Sequence, residues 1–149
     1  MKTDWLKRTR GAVLTGLAWA VAWAPLAVLA GLIVDPDGSM DEMWVAIGAY
    51  PGFLCGAVFF AVLGIAERRR GLHESPLARV GAWGALAGVL VGVLPFTLGT
   101  ATSAVPLWQL LAGFAGSTTL LSAVSAVATA LLVRHAARRR GLAGAGLAG

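Results

Sequence analysis

Charge is what this sequence has least of. Only 13% of its 149 residues are Asp, Glu, Lys or Arg, against roughly 25% in a soluble domain. It has a single cysteine, Cys55, and two histidines. One cysteine excludes a disulfide framework and any four-cysteine zinc site. His73 and His135 have no further ligand at metal spacing and no nucleophile beside them. Paired carboxylates, a nucleophile–base pair and a metal cluster are all missing, so no catalytic chemistry and no cofactor is expected. What is abundant is apolar: 58% hydrophobic residues, with 20 glycines and six tryptophans. That content excludes disorder, and a soluble chain this short cannot keep so much apolar surface dry.

The charges that exist are confined to short islands. Uncharged runs cover residues 11–34, 43–66 and 80–133, the last broken near Ser103-Ala104-Val105-Pro106. A helix needs about 20 residues to cross a bilayer, and strand alternation is absent. The reading is all-α: an integral membrane four-helix bundle with spans at 11–34, 43–66, 80–102 and 107–133. The helices are expected to extend to 40–70, 76–102 and 107–137. Residues 1–140 form a single transmembrane domain, and the Gly/Ala-rich tail at 141–149 is expected to be flexible. Small residues at Val28-Leu29-Ala30 resemble a signal cleavage site. The apolar run there is longer than the h-region of about 7–15 residues, so the first helix is expected to be retained.

Orientation follows from the basic residues. Lys2, Lys7, Arg8 and Arg10 form one island, Arg68, Arg69, Arg70 and Arg79 a second, and Arg134, Arg138, Arg139 and Arg140 a third; together they are all 12 bases. Four crossings place these islands on one side. The other side receives Asp35, Asp37, Asp41 and Glu42 and no base. Both termini are therefore expected in the cytoplasm. Ser39-Met40-Asp41-Glu42 has the form of a capping box opening the second helix. Ser75-Pro76 reads as an N-cap followed by proline at the first helical position. Arg-Arg-Arg-Gly at 68–71 and again at 138–141 reads as a helix end with a glycine C-cap. Trp44 and Trp108 fall at the outer boundary, and Trp5 and Trp83 at the inner one.

A shift of 70 residues superposes Gly11-Ala12 on Gly81-Ala82, Pro25 on Pro95, Pro36 on Pro106 and the two arginine runs on each other. A duplicated two-helix unit would give this pattern; so would chance in a chain so rich in small apolar residues. The clearest motif is small residues at every fourth position. Gly48, Gly52 and Gly56, with Gly64 beyond, mark the second helix, and Gly84, Gly88 and Gly92 mark the third. Gly16, Ala20 and Ala24 on the first helix and Ser122, Ala126 and Ala130 on the fourth are matching rows. Such rows let backbones approach closely. Packing inside the bundle is expected ahead of an oligomer interface. Ser122, Ser125 and Thr129 form one polar stripe along the fourth helix, either self-bonded to the carbonyls a turn back or lining a path for a small neutral solute.

Weaker patterns resolve on inspection. Asp35, Asp37, Ser39 and Asp41 alternate like calcium-loop ligands, but Met40 and Ala46 stand where the loop needs glycine and glutamate; an acidic solvated turn is expected. Trp19 and Trp23, one turn apart, are expected to pack on neighbours rather than flank a pigment. Four-span multidrug exporters depend on an intramembrane carboxylate that no span here supplies. The connector Ala66-Glu67-Arg68-Arg69-Arg70, Glu74-Ser75-Pro76 and Arg79-Val80-Gly81-Ala82-Trp83-Gly84, with the Trp-rich first span, resembles small uncharacterised four-span proteins of bacterial inner membranes. The resemblance covers residues 11–90 and implies membrane residence and four spans, with no activity to transfer.

The expected function is a non-catalytic scaffold or accessory subunit acting through helix–helix packing, and the competing class is a small channel or facilitator for a neutral solute. The expected partners are the lipid bilayer and a membrane protein or second copy; nucleic acid is not expected, because the net charge of +5 sits at helix ends. Reporter fusions at both termini and at residue 38 test the orientation: both termini are expected inside and residue 38 outside, and an exported C-terminus overturns it.

Overall fold

The computed structural model describes residues 2–38, 41–66, 75–98 and 106–146. The fold is all-helical: α1 Lys2–Val34, α2 Asp41–Ala66, α3 Leu77–Thr97 and α4 Leu107–Gly146. All four are long and apolar enough to cross a membrane, with mean hydropathy between 1.7 and 2.2 in their most apolar windows. Only 17 to 33% of those windows is buried within the bundle. The remainder is half-buried or exposed, and Val21, Leu120, Val124 and Leu132 are exposed at mid-helix.

The helices pack as two antiparallel hairpins, α1 on α2 and α3 on α4, with α2 joining the pairs along α3 and touching α4. In the first hairpin, a Cβ added at Gly48 would lie 2.6 Å from the Trp23 carbonyl oxygen. One at Gly56 would lie 2.8 Å from that of Thr15. In the second, a Cβ at Gly84 would meet the Ser122 carbonyl oxygen at 2.7 Å, and one at Gly88 would meet that of Thr118 at 2.5 Å. Each glycine row thus takes the backbone of its own hairpin partner. The first hairpin is reciprocal: Gly11, Gly16 and Gly31 of α1 receive the rings of Phe60, Phe53 and Trp44 from α2.

Between the hairpins lies a core of Trp19, Trp23, Cys55, Phe59, Val80, Ala87, Val91, Ala126 and Ala130. Trp19 stacks on Phe59 with ring centroids 5.2 Å apart, and on Trp23 at 6.3 Å. Prolines lie inside three helices: Pro25, Pro51 and Pro95. Each removes an N–H that would otherwise bond the carbonyl four residues back. Gly38, in the turn after α1, has φ 68°, and its N–H bonds the Asp35 carbonyl at 3.1 Å. That left-handed conformation suits glycine.

Several boundaries differ from expectation. α1 starts at Lys2, so the first basic island is helical. Pro76, not Ser75, is the N-cap of α3, at φ −53° and ψ 137°, and no side chain caps it. The proline ring already holds the φ that the extended N-cap conformation uses. Ser75 is instead fully buried. α3 ends at Thr97, short of residue 102. α4 continues past Gly141 to Gly146, so that glycine does not cap it and part of the segment expected as a tail is helical. The capping box at Ser39 and Met40 and the run at 68–71 lie outside the described residues. Trp5 and Trp108 are exposed near helix starts, whereas Trp44 and Trp83 turn partly inward.

The hairpins do not share the register that a 70-residue repeat requires. Gly48 lies against Trp23, Ala24 and Ala27; its counterpart Thr118 lies against Gly88 and Gly92. The offset is about one helical turn.

These contacts rank three substitutions. Gly88→Ile drives a branched side chain into the backbone of Thr118 and Thr119 and is expected to destabilise most. Gly52→Ile, whose Cβ would sit 3.0 Å from the Trp19 carbonyl oxygen, is expected to cost roughly 1–3 kcal/mol. Gly64→Ile, where a Cβ meets nothing within 4 Å, should leave the melting temperature in detergent near wild type. Equal melting temperatures for all three would refute the close packing.

Candidate functional site

The polar groups inside the bundle collect on one side of α4. At about 100° per residue, Thr118, Ser122, Ser125 and Thr129 lie within about 60° of each other around the helix. Their partners differ because α4 faces different neighbours along its length. Near its middle it lies on α3, where Ser122 Oγ donates to the Gly84 carbonyl at 2.7 Å and Thr118 Oγ1 lies 3.1 Å from that of Gly88. A glycine without a side chain leaves its carbonyl accessible, so the residues that let the backbones approach also accept the hydroxyls. Thr118 Oγ1 is also within reach of the Phe114 and Ala115 carbonyls in its own helix.

One or two turns further on, the stripe faces α1. Trp23 Nε1 donates to Ser125 Oγ at 2.9 Å, and Trp19 Nε1 donates to Thr129 Oγ1 at 3.2 Å. Thr129 passes its own hydrogen to the Ser125 carbonyl at 2.7 Å. The α1 and α4 backbones are not closely packed, so the indoles span the gap. Ser122, Ser125 and Thr129 therefore all have partners. Ser122 is fully buried and the other two are half-buried.

The other sequence candidates are scattered. Cys55 is a free, buried thiol in contact with Ser122. His135 Nε2 accepts a bond from Arg139 Nε one turn on, at 2.9 Å. His73 lies outside the described residues. Among the described residues no three His, Cys, Asp or Glu side chains gather. Thr9, Thr15, Thr97, Ser117 and Thr119 bond carbonyls three or four residues back in their own helices.

Sequence reasoning placed the α4 stripe but missed its donors. Trp19 and Trp23 were legible as packing residues, and nothing in their spacing tells which helix their N–H groups reach. It also missed the tie between Arg134 and Ser75: Arg134 Nη2 donates to the Ser75 carbonyl, fastening the second half of α4 to the residue just before α3. The Nε atoms of Trp44, Trp83 and Arg134 are buried without a hydrogen-bond partner.

Two of the grooves on the outside of the bundle are lined by described residues. One, of about 600 Å³, lies between the start of α1 and the end of α2; the other, of about 560 Å³, lies on α3 and α4 between Val93, Trp108 and Gly116. Neither is lined by Ser122, Ser125 or Thr129. Comparison with family models, with curated proteins and with solved structures finds no match.

The indole bonds yield a paired test. Trp19→Phe and Trp23→Phe each keep a ring and delete one donor, and each is expected to lose about 0.5–2 kcal/mol of stability. Trp83→Phe deletes an unpartnered donor and should be neutral or slightly stabilising. Thermal unfolding of the purified variants reads the difference, and an equal loss at all three positions would count against the indole–hydroxyl bonds.

Proposed function

We propose that this chain is a multi-pass membrane protein of the bacterial cytoplasmic membrane. In this reading its four helices span the bilayer and both termini are cytoplasmic. It acts without catalysis, as a scaffold or accessory subunit whose helices pack against a membrane partner. The long apolar helices with mostly outward-facing surface support membrane residence, because soluble monomers rarely expose such large apolar patches. The segregation of bases and acids supports the orientation.

The observation that carries the scaffold reading is the filled hydroxyl stripe. A facilitator needs hydroxyls free to replace the solute's water; here Ser122, Ser125 and Thr129 are bonded to α3 and α1. The closure comes partly from α1, whose indoles cover the end of the stripe that α3 does not. An accessory subunit also needs an outer helix face that a partner can approach. Both long glycine rows are used inside the hairpins, but Gly113 and Gly116 of α4 have open space where a Cβ would be. Small residues on such a face permit close helix contact.

Two measurements separate the readings. Liposomes containing the purified protein are expected to show no more flux of small neutral solutes than empty ones. Mild-detergent extraction is expected to recover the chain with one stoichiometric membrane protein. Gly116→Ile should weaken that association with little loss of melting temperature. Solute flux that falls on Ser125→Val would replace the scaffold reading with the facilitator.

A further inference from the structure

We propose that the groove between the first turns of α1 and the last turns of α2 is a binding site for one anionic phospholipid of the cytoplasmic leaflet. An acyl chain would lie against Ala12, Phe60, Ala61 and Gly64, and the phosphate on the guanidinium of Arg8. The proposal rests on the membrane reading above.

The groove exists because the first hairpin closes unevenly. Along Gly48, Gly52 and Gly56 the α1 backbone fills the space over α2, but at Gly64, two turns further, a Cβ meets nothing within 4 Å. Phe60 leans its ring over Gly11 and walls the groove on the side of the close contact. The resulting volume is about 600 Å³, in the range of small-ligand sites, which combine apolar walls with a few polar groups. Its lining is apolar apart from Arg8, Thr9 and the indole N–H of Trp5. Thr9 Oγ1 already donates to the Trp5 carbonyl at 3.0 Å, so its hydrogen is taken. Arg8 is the one cation in the lining, and no ion pair joins it to another described residue. Its planar fork of N–H donors suits a phosphate.

Charge decides the occupant. Lys7 and Arg10 flank Arg8 in sequence, and the base-rich side is where anionic headgroups are attracted by juxtamembrane Lys and Arg. A partner helix seated in the same groove would have to bring an acid to Arg8. A phospholipid carries both parts already, the anion at the surface and the hydrocarbon below it. From Trp5 to Ala12 the groove runs roughly 10 Å along the helix, long enough to hold the upper part of one chain.

The test uses the full-length chain, purified in detergent and exposed to equal amounts of phosphatidylglycerol and phosphatidylcholine with matched chains. Bound lipid is counted by native mass spectrometry. Wild type is expected to retain phosphatidylglycerol preferentially. Arg8→Gln should reduce that preference about fivefold, the effect of one basic residue near an anionic surface. Gly64→Leu, which places a side chain in open space, should lower retention of both lipids without lowering the melting temperature. Equal retention of the two lipids by wild type, or a ratio unchanged in Arg8→Gln, overturns the site. So does a co-purifying protein, rather than lipid, released by Gly64→Leu. Recovery of the chain from the soluble fraction overturns the membrane reading as well; a membrane-extracted chain with no lipid preference overturns the lipid site alone.

Discussion

The structure depends on what is missing at six positions. Gly48, Gly52 and Gly56 on α2, and Gly84, Gly88 and Gly92 on α3, have no side chain where the partner helix runs. At five of them a Cβ would come within 3.0 Å of a carbonyl oxygen of the partner helix, and at Gly92 it would crowd the side chain and backbone of Thr118 and Ala115. Protein interiors do not accommodate such contacts without shifting. The two hairpins are therefore built on the absence of atoms. The close approach has a second consequence in the α3–α4 hairpin, where the exposed glycine carbonyls become acceptors for Thr118 and Ser122.

Because each glycine row is used within its own hairpin, the junction between hairpins needs other means. Trp19, Trp23 and Phe59 of the first hairpin stack on one another in the core shared with Val80, Ala87, Ala126 and Ala130 of the second, and the two indoles cross to α4. Indoles suit a gap too wide for backbone contact, since each brings a broad apolar face and one donor. The donor matters in apolar surroundings, where Ser125 and Thr129 have few other partners. The Arg134–Ser75 tie adds a polar fastening at one end of the second hairpin.

The proposed function rests on how the hydroxyls inside the bundle are used. The hydroxyls of the α4 stripe serve as joints to α3 and α1. Open on the outside are the lipid groove proposed beside Arg8 and the small-residue face of α4 at Gly113 and Gly116. A bundle whose interior hydroxyls are bonded and whose outer faces carry open grooves is suited to contact with lipids and other helices.

The sequence by itself determined the number, type and approximate extent of the helices. Runs free of charge and about 20 residues or longer would, in lipid, satisfy their backbone groups only as helices, and α2 spans Asp41–Ala66 where a helix over 40–70 with its apolar span at 43–66 was expected. It also picked out the glycine rows and the stripe at Ser122, Ser125 and Thr129, because both are local periodicities on one helix. Helix ends were less legible: nothing in the sequence around Gly141 says that α4 runs on through it, and Pro76 took the cap that Ser75 was expected to hold. Only the tertiary structure decided which surfaces meet. A row of glycines states that something comes close without saying what, since an antiparallel neighbour, a second copy and a partner all fit it equally well. Likewise, Trp19 and Trp23 show on the helix only their spacing. That their N–H groups close the stripe on α4, more than a hundred residues away, depends on the crossing of helices that are not adjacent in the chain.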